Sequence, residues 1–342
     1  IALLSGGLDS ILACRLIMSQ SIRVVALKFV TPFFDDGLLE REQEYCSEIR
    51  EKYGIDVRLK DLGPSYIELL RRPRHGYGKH FNPCIDCKIL MLRKARAMMQ
   101  EYQASFLITG EVLGQRPMSQ RRDTLRIIER DSGCEDILLR PLCARRLPET
   151  LPERTGLVDR DKLLAFSGRG RRQQMELAAS LGITDYPSPA GGCLLTDPNL
   201  GARIRRLYQG EILSSSQDLQ VTDVRLLLVG RQFLLPGGYW FILGRNQEEN
   251  ARIAGLAEKG DWRLRMTSRP GPTGLLRRAE ETVACSPSEN EVCRLAASLV
   301  VRYGRKTEAK ATPAEVEICR PGAREVLVGD VPEDEPYDRY QL

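Results

Sequence analysis

Residues 3–10, LLSGGLDS, run an apolar strand straight into an apolar helix through two glycines, with an aspartate in the first helical turn. A chain that turns so sharply from strand to helix reads as the opening of an α/β unit. The alternation continues. Residues 1–4 end a strand, and Leu8, Ile11, Leu12 and Leu16 mark one face of the helix that follows. IRVVALKFV (22–30) reads as a buried strand, then comes a polar helix near 38–53 and a short strand in IDVRLKDL (55–62). Ile89, Leu92, Met99 and Tyr102 stripe a further helix; SFLITG (105–110) and DILLRPL (136–142) are further strands. Strands and helices in turn predict a doubly wound parallel sheet, with ligands in the crevice at the strands' carboxyl ends.

The corner itself is built for phosphate. Free amide groups at a helix start point outward, and the helix dipole favours negative charge there. Gly6 and Gly7 let the backbone approach closely, Ser5 and Ser10 add hydroxyl donors, and Leu8 opens the helix. Asp9 would repel phosphate unless a cation stood between them, which suggests bound Mg²⁺ or a tethering role. The GK[ST] ending of a Walker A loop is absent.

No run of about 18 apolar residues occurs, so no membrane span is expected. No signal peptide is evident, and the sequence opens inside its first strand, so a few residues upstream are expected. Ten cysteines without a secretory signal predict thiols in a reducing compartment, that is, a cytoplasmic protein. Cys14 and Cys46 read as small core residues, while Cys134, Cys143, Cys285, Cys293 and Cys319 have no partner at ligand spacing. Cys84 and Cys87 in NPCIDCK and Cys193 in PAGGCLLTD stand apart. The net charge is only +5, but arginines cluster at 71, 72 and 74, at 169, 171 and 172, and at 203, 205 and 206. Each cluster alone is a solvated face; together they suit an anionic macromolecule such as RNA. RRPRHGYGKHFNPC carries Arg71, Arg72, Arg74 and Lys79 with Tyr77 and Phe81 interleaved, a pattern for phosphates plus base stacking. Arg116, Arg121 and Arg122 offer a second contact surface.

SGGLDS resembles the signature of the PP-loop, or N-type ATP pyrophosphatase, superfamily. NPCIDCK followed by GGCLLTD resembles the PP-loop tRNA thiolases, and TGEVLGQRPMSQ (109–120) resembles a stretch of the tRNA 4-thiouridine synthetases. The resemblance covers roughly residues 1–210. It implies that Ser5 to Ser10 grip the pyrophosphate of ATP and that Lys28, Phe29 and Gly110 line the nucleotide site. It further implies adenylation of a uridine carbonyl oxygen and its replacement by sulfur, with tRNA as substrate. The sulfur donor would be a cysteine desulfurase or free sulfide. Three arrangements stay open for the cysteines. Cys193 could carry a persulfide that Cys84 resolves as a disulfide. Cys84, Cys87 and Cys193 could bind three irons of a [4Fe–4S] cluster and leave one iron for sulfide. His80 could complete a Cys₃His zinc site.

After about residue 210 the texture changes. Residues 221–245 read as β-hairpins, NQEENARIAGLAEKG as a helix, and 288–303 as another helix. Gly244, Arg245, Asn246, Asn250, Trp262, Pro270 and Gly271 fall in an order that resembles the NFACT-R module, an RNA-associated domain, although the histidines usual near its Trp and after its PG are absent. A smaller α+β RNA-binding domain is expected over 213–330, with a loose acidic tail at 331–342. No internal repeat appears; a homodimer is an open expectation. Two rival functions are a PP-loop enzyme adenylating a small molecule and a non-catalytic RNA-binding factor.

Overall fold

The computed structural model describes residues 1–188, 193–213, 218–283, 289–305, 313–332 and 335–342. Cys285 and the Gly191–Gly192 pair before Cys193 lie outside them. The chain divides into two compact units, Ile1–Pro198 and Asn199–Leu342, a division ahead of the one expected near residue 210.

In the first unit the elements run β1 (Ala2–Leu3), α1 (Leu8–Met18), β2 (Val25–Val30), α2 (Glu42–Tyr53), β3 (Asp56–Asp61), α3 (Gly63–Arg71), α4 (Cys84–Ala97), β4 (Leu107–Thr109), α5 (Arg122–Ser132), β5 (Leu138–Leu139), α6 (Leu151–Arg154) and α7 (Arg172–Ser180). The five strands are all parallel in the order β3-β2-β1-β4-β5. Chain order reverses on either side of β1, so the crevice beyond the ends of β1 and β4 is where such a sheet takes a ligand. Every residue of β2 is buried, as a strand covered on both faces requires. The apolar stripe of α1 is buried as expected, with Leu8, Ile11 and Leu12 wholly inaccessible. Cys14 is wholly buried too, whereas Cys46 is only half-buried, its thiol 3.4 Å from the Val57 carbonyl. Met99 and Tyr102, expected on the helix with Ile89 and Leu92, follow its end at Ala97. Gln103 takes a positive φ that turns the chain, and both side chains still pack on the α4 cluster.

The second unit holds α8 (Pro198–Tyr208, which spans the division), α9 (Val221–Leu227), β6 (Arg231–Leu235), β7 (Tyr239–Leu243), α10 (Gln247–Gly255), β8 (Trp262–Met266), β9 (Gly274–Arg277), α11 (Ala279–Val283), α12 (Glu289–Arg302), β10 (Ala314–Arg320) and β11 (Ala323–Gly329). Its six strands are antiparallel, ordered β11-β10-β8-β9-β7-β6, and α12 buries Val292, Ala296, Leu299 and Val300 in its core. The hairpin expected over 221–245 is confined to β6 and β7. Residues 221–227 are helical because Gln220 and Asp223 form a capping box that satisfies the first free amides. The tail is not loose: Tyr337 is buried, with the Arg302 guanidinium 4.8 Å from its ring, and the Leu342 amide donates to the Gln232 carbonyl at 2.9 Å.

Several residues of the NFACT-R-like pattern have structural work to do. Asn246 caps α10 by accepting from the Glu249 amide at 2.9 Å, and Asn250 accepts from the Thr273 amide at 2.9 Å. A Cβ at Gly244 would meet the Asn250 carboxamide oxygen at 2.0 Å, so a side chain there would displace Asn250 from its bond with Thr273. Arg320 lies over the Trp262 ring at 4.2 Å. At the end of β9, buried Arg277 is ringed by Asp223, Asp261 and Glu258, a fully partnered ion cluster of the kind that tolerates burial.

Candidate nucleotide and thiol site

Gly6 takes φ +86, a conformation that side-chain-bearing residues rarely adopt, and Gly7 caps α1 in an extended conformation. The Ser10 hydroxyl donates to the Gly7 carbonyl at 2.7 Å, and the Ser5 hydroxyl lies 3.2 Å from that of Ser10. Lys28 reaches up from β2, almost wholly buried, and donates to the Ser5 carbonyl at 2.8 Å and to Asp35 at 2.5 Å. Lys28 thus ties the turn to the sheet. Phe29 and Leu8 face the core, so what they offer a ligand is backbone.

Asp9 sits half-buried in the first turn of α1. Gln115, in the loop after β4, donates to its Oδ2 at 3.1 Å, while its Oδ1 has no partner. Burial pushes its carboxyl above the usual range, countered by the Gln115 bond, the charges of Arg171 and Arg116, and the Gln174 amide. A desolvated carboxylate with one free oxygen, beside arginines and a helix start, fits a cation-bridged phosphate.

Cys84 and Cys87 occupy the first turn of α4, three residues apart and therefore on one face. Asn82 donates to the Cys84 sulfur at 3.2 Å. The Phe81 amide donates to the Leu195 carbonyl at 3.2 Å, which fastens the first cysteine loop to the segment carrying Cys193. Burial pushes the Cys87 thiol up to about 11, against a hydrogen bond with Tyr66 and the charge of Lys88; Cys84 and Cys193 act on it as well. Burial also raises Cys193, on which Cys84 and Arg116 act. Tyr66 hydrogen-bonds with Cys87 and its hydroxyl senses the charge of Cys84 and Cys193 as well, but no group of three His, Cys, Asp or Glu among the described residues is arrayed as a metal cage, His80 included. The loop after β4 touches both places: its Gln115 bonds Asp9, and its Met118 sulfur lies 3.5 Å from the Asn82 amide that donates to Cys84.

Behind the thiols, Glu111 is buried against Arg140, which also pairs with Glu129. Burial alone would raise its carboxyl, but Lys88 and Arg140 outweigh that and hold it below the ordinary value. Around the site Arg72, Arg74, Lys79, Arg116, Arg121, Arg122, Arg169 and Arg172 are exposed. Tyr77 and Phe81 differ from the base-stacking expectation. They stack on each other at 4.4 Å, and Phe81 is buried because it anchors the loop. The sequence reading missed Gln115, Gln174, Tyr66 and Asp35 as site residues. Gln115 lay inside the quoted TGEVLGQ stretch; Gln174 had no signal beyond opening a helix after an arginine cluster.

The first unit is an α/β domain on a parallel sheet with a glycine turn at a helix start, and the second is built on an antiparallel sheet. Residues 1–146 match the family model described as thiamine biosynthesis protein (ThiI), and residues 230–340 match that of the NFACT protein RNA binding domain. The chain is 27% identical over 143 residues to a probable tRNA sulfurtransferase of Thermococcus kodakarensis, covering 42% of this chain and 36% of that one. It is 31% identical over 117 residues to a probable tRNA sulfurtransferase of Methanothermobacter thermautotrophicus, covering 34% and 29%. It thus spans about a third of the length of the curated relatives it matches. A solved 4-thiouridine synthetase–RNA complex with bound ATP aligns at 20% identity and TM-score 0.35, over 61% of this chain and 50% of that one.

Proposed function

We propose that this chain carries out ATP-dependent tRNA thiolation. The observation that carries the reading is the loop after β4, whose Gln115 donates to Asp9 at the phosphate corner while its Met118 meets the Asn82 amide that donates to Cys84. A site that joins a triphosphate to a sulfur nucleophile suits one reaction class. The uridine carbonyl oxygen attacks the α-phosphorus of ATP, pyrophosphate leaves, and the oxygen becomes part of an adenylate. A sulfur nucleophile then adds at that ring carbon, and AMP departs with the oxygen. Outward amides at Gly6 to Ser10, with Mg²⁺ on Asp9, would stabilise the charge developing on pyrophosphate.

Two sulfur routes suit the thiols. In the first, the terminal sulfur of a Cys193 persulfide attacks the activated carbon. The Cys84 thiolate then attacks the inner sulfur, which leaves the terminal sulfur on the base and a Cys84–Cys193 disulfide behind; a reductant of the thiol class restores both. In the second, Cys84, Cys87 and Cys193 would hold a [4Fe–4S] cluster, which would supply sulfide as the nucleophile. Cys87 speaks for the second route by its chemistry, since a two-cysteine relay has no use for it, while the three thiols as they stand are not arrayed as a metal cage among the described residues. In the first route a cysteine desulfurase would deliver the outer sulfur already at the persulfide level, and in the second sulfide would bind as it is. The exposed arginines around the site and the NFACT-R-type unit supply phosphate contacts for tRNA.

The test is AMP and pyrophosphate release from ATP with and without bulk tRNA. RNA-stimulated AMP formation that vanishes in Asp9→Ala supports the reading. AMP formation indifferent to RNA points to a small-molecule substrate, and none at all points to an RNA-binding factor.

A further inference from the structure

Gln174 is 1% exposed, yet neither its Nε2 nor its Oε1 makes a hydrogen bond of proper length and angle; it approaches the Asp9 carboxyl without closing a bond. It is the third residue of α7, a nine-residue helix packed against α1. Beside it, Asp9 leaves Oδ1 unpaired and Arg171 leaves Nε unpaired. α7 packs against α1, and both Gln174 and Arg171 bear on the Asp9 carboxyl, so the unpaired atoms lie together where the starts of the two helices meet. Buried polar groups without partners are rare because each costs desolvation energy that nothing returns. Four such atoms on three neighbouring side chains mark a place completed by a polar ligand.

We propose that the Gln174 carboxamide joins Asp9 in holding the hydrated Mg²⁺ on the polyphosphate of ATP. This rests on the ATP reading above. An amide suits the place better than a charged group. Its oxygen can accept from the cation's water shell while its nitrogen donates to a phosphate oxygen. A lysine would compete with the cation, and a second carboxylate would repel the phosphates. Gln115, already bonded to Asp9 Oδ2, keeps the carboxylate turned so that Oδ1 is the free oxygen.

The proposal sets binding against stability, which a purely structural role would not do. Gln174→Leu removes both orphaned atoms at similar volume, so the ligand-free protein should melt higher. The same variant should bind ATP about tenfold more weakly in Mg²⁺ by calorimetry, with less than a twofold change in EDTA. A Mg²⁺–ATP affinity unchanged within twofold, or an equal loss with and without Mg²⁺, overturns the assignment. Gln174→Glu serves if the leucine variant fails to fold. It should bind metal-free ATP more weakly and need more Mg²⁺ for half-maximal binding; an unaltered Mg²⁺ dependence overturns the proposal. Wild-type protein that binds no ATP under either condition would sink the ATP reading, and this assignment with it. Wild-type binding matched by the leucine variant would sink the assignment alone.

Discussion

Gly110, at the end of β4, lies flat against the backbone of Asp9 at the start of α1. A Cβ there would stand 2.4 Å from the Asp9 carbonyl carbon and 2.5 Å from the Ser10 nitrogen. The two strands that flank the crevice are thus locked at the point where their loops leave, and Asp9 is set by β4 as much as by its own helix.

Gly110→Ala must therefore push the first turn of α1 away from β4. Overpacking against backbone costs about 1–3 kcal/mol, so the melting temperature should fall by several degrees. ATP affinity should fall with it, because the amides of the corner move. Calorimetric melting and ATP titration of the variant check both.

Lys28→Met removes the two bonds that tie the Ser5 carbonyl and Asp35 to β2. Loss of a buried, charge-assisted donor costs about 1.5–3 kcal/mol. Urea unfolding should show a lower midpoint, and the thioether should not recover ATP binding at saturating Mg²⁺.

The Glu111 carboxyl is held below its ordinary value of 4.5 by Lys88 and Arg140, which outweigh its burial. A depressed folded-state value adds stability above the unfolded value and loses it as pH falls through the folded one. Glu111→Gln should melt well below wild type at pH 7, and the two melting curves should converge as the pH is taken below about 4. Parallel curves down to pH 3 would show that the buried pair does not set the acid limb.

Cys87→Ser separates the sulfur routes. The account expects this variant to lose thiolation as completely as Cys84→Ser and Cys193→Ser while RNA-stimulated AMP formation persists in all three. Iron content and the anaerobic visible spectrum should fall together with thiolation. Full thiolation by Cys87→Ser in a colourless protein would leave the two-cysteine relay.

Much of the first unit was legible because its signals are local. The run Leu8, Ile11, Leu12 and Leu16 has helical period, and Val25–Val30 is apolar throughout apart from Lys28. The phosphate corner was legible for the same reason, since strand, glycines and helix start are contiguous. The site's long-range members were not. Gln174 meets Asp9 only because α7 packs on α1, and Tyr66 meets Cys87 only because α3 packs on α4. In the second unit the helix at 221–227 was hidden because its apolar residues Val221, Val224, Leu226 and Leu227 suit a strand equally well. The tail misled by composition: Asp338 and Arg339 are exposed, but one buried tyrosine between the charges, Tyr337, decides its placement.

The most direct test of the central claim is nucleoside mass spectrometry of tRNA incubated with the purified protein, ATP, Mg²⁺ and, in parallel reactions, sulfide or a cysteine desulfurase with cysteine. The account predicts a thiolated uridine formed with AMP, absent when ATP is omitted or Asp9 is replaced. AMP formed on RNA without any thionucleoside, or no RNA-dependent AMP at all, would contradict it.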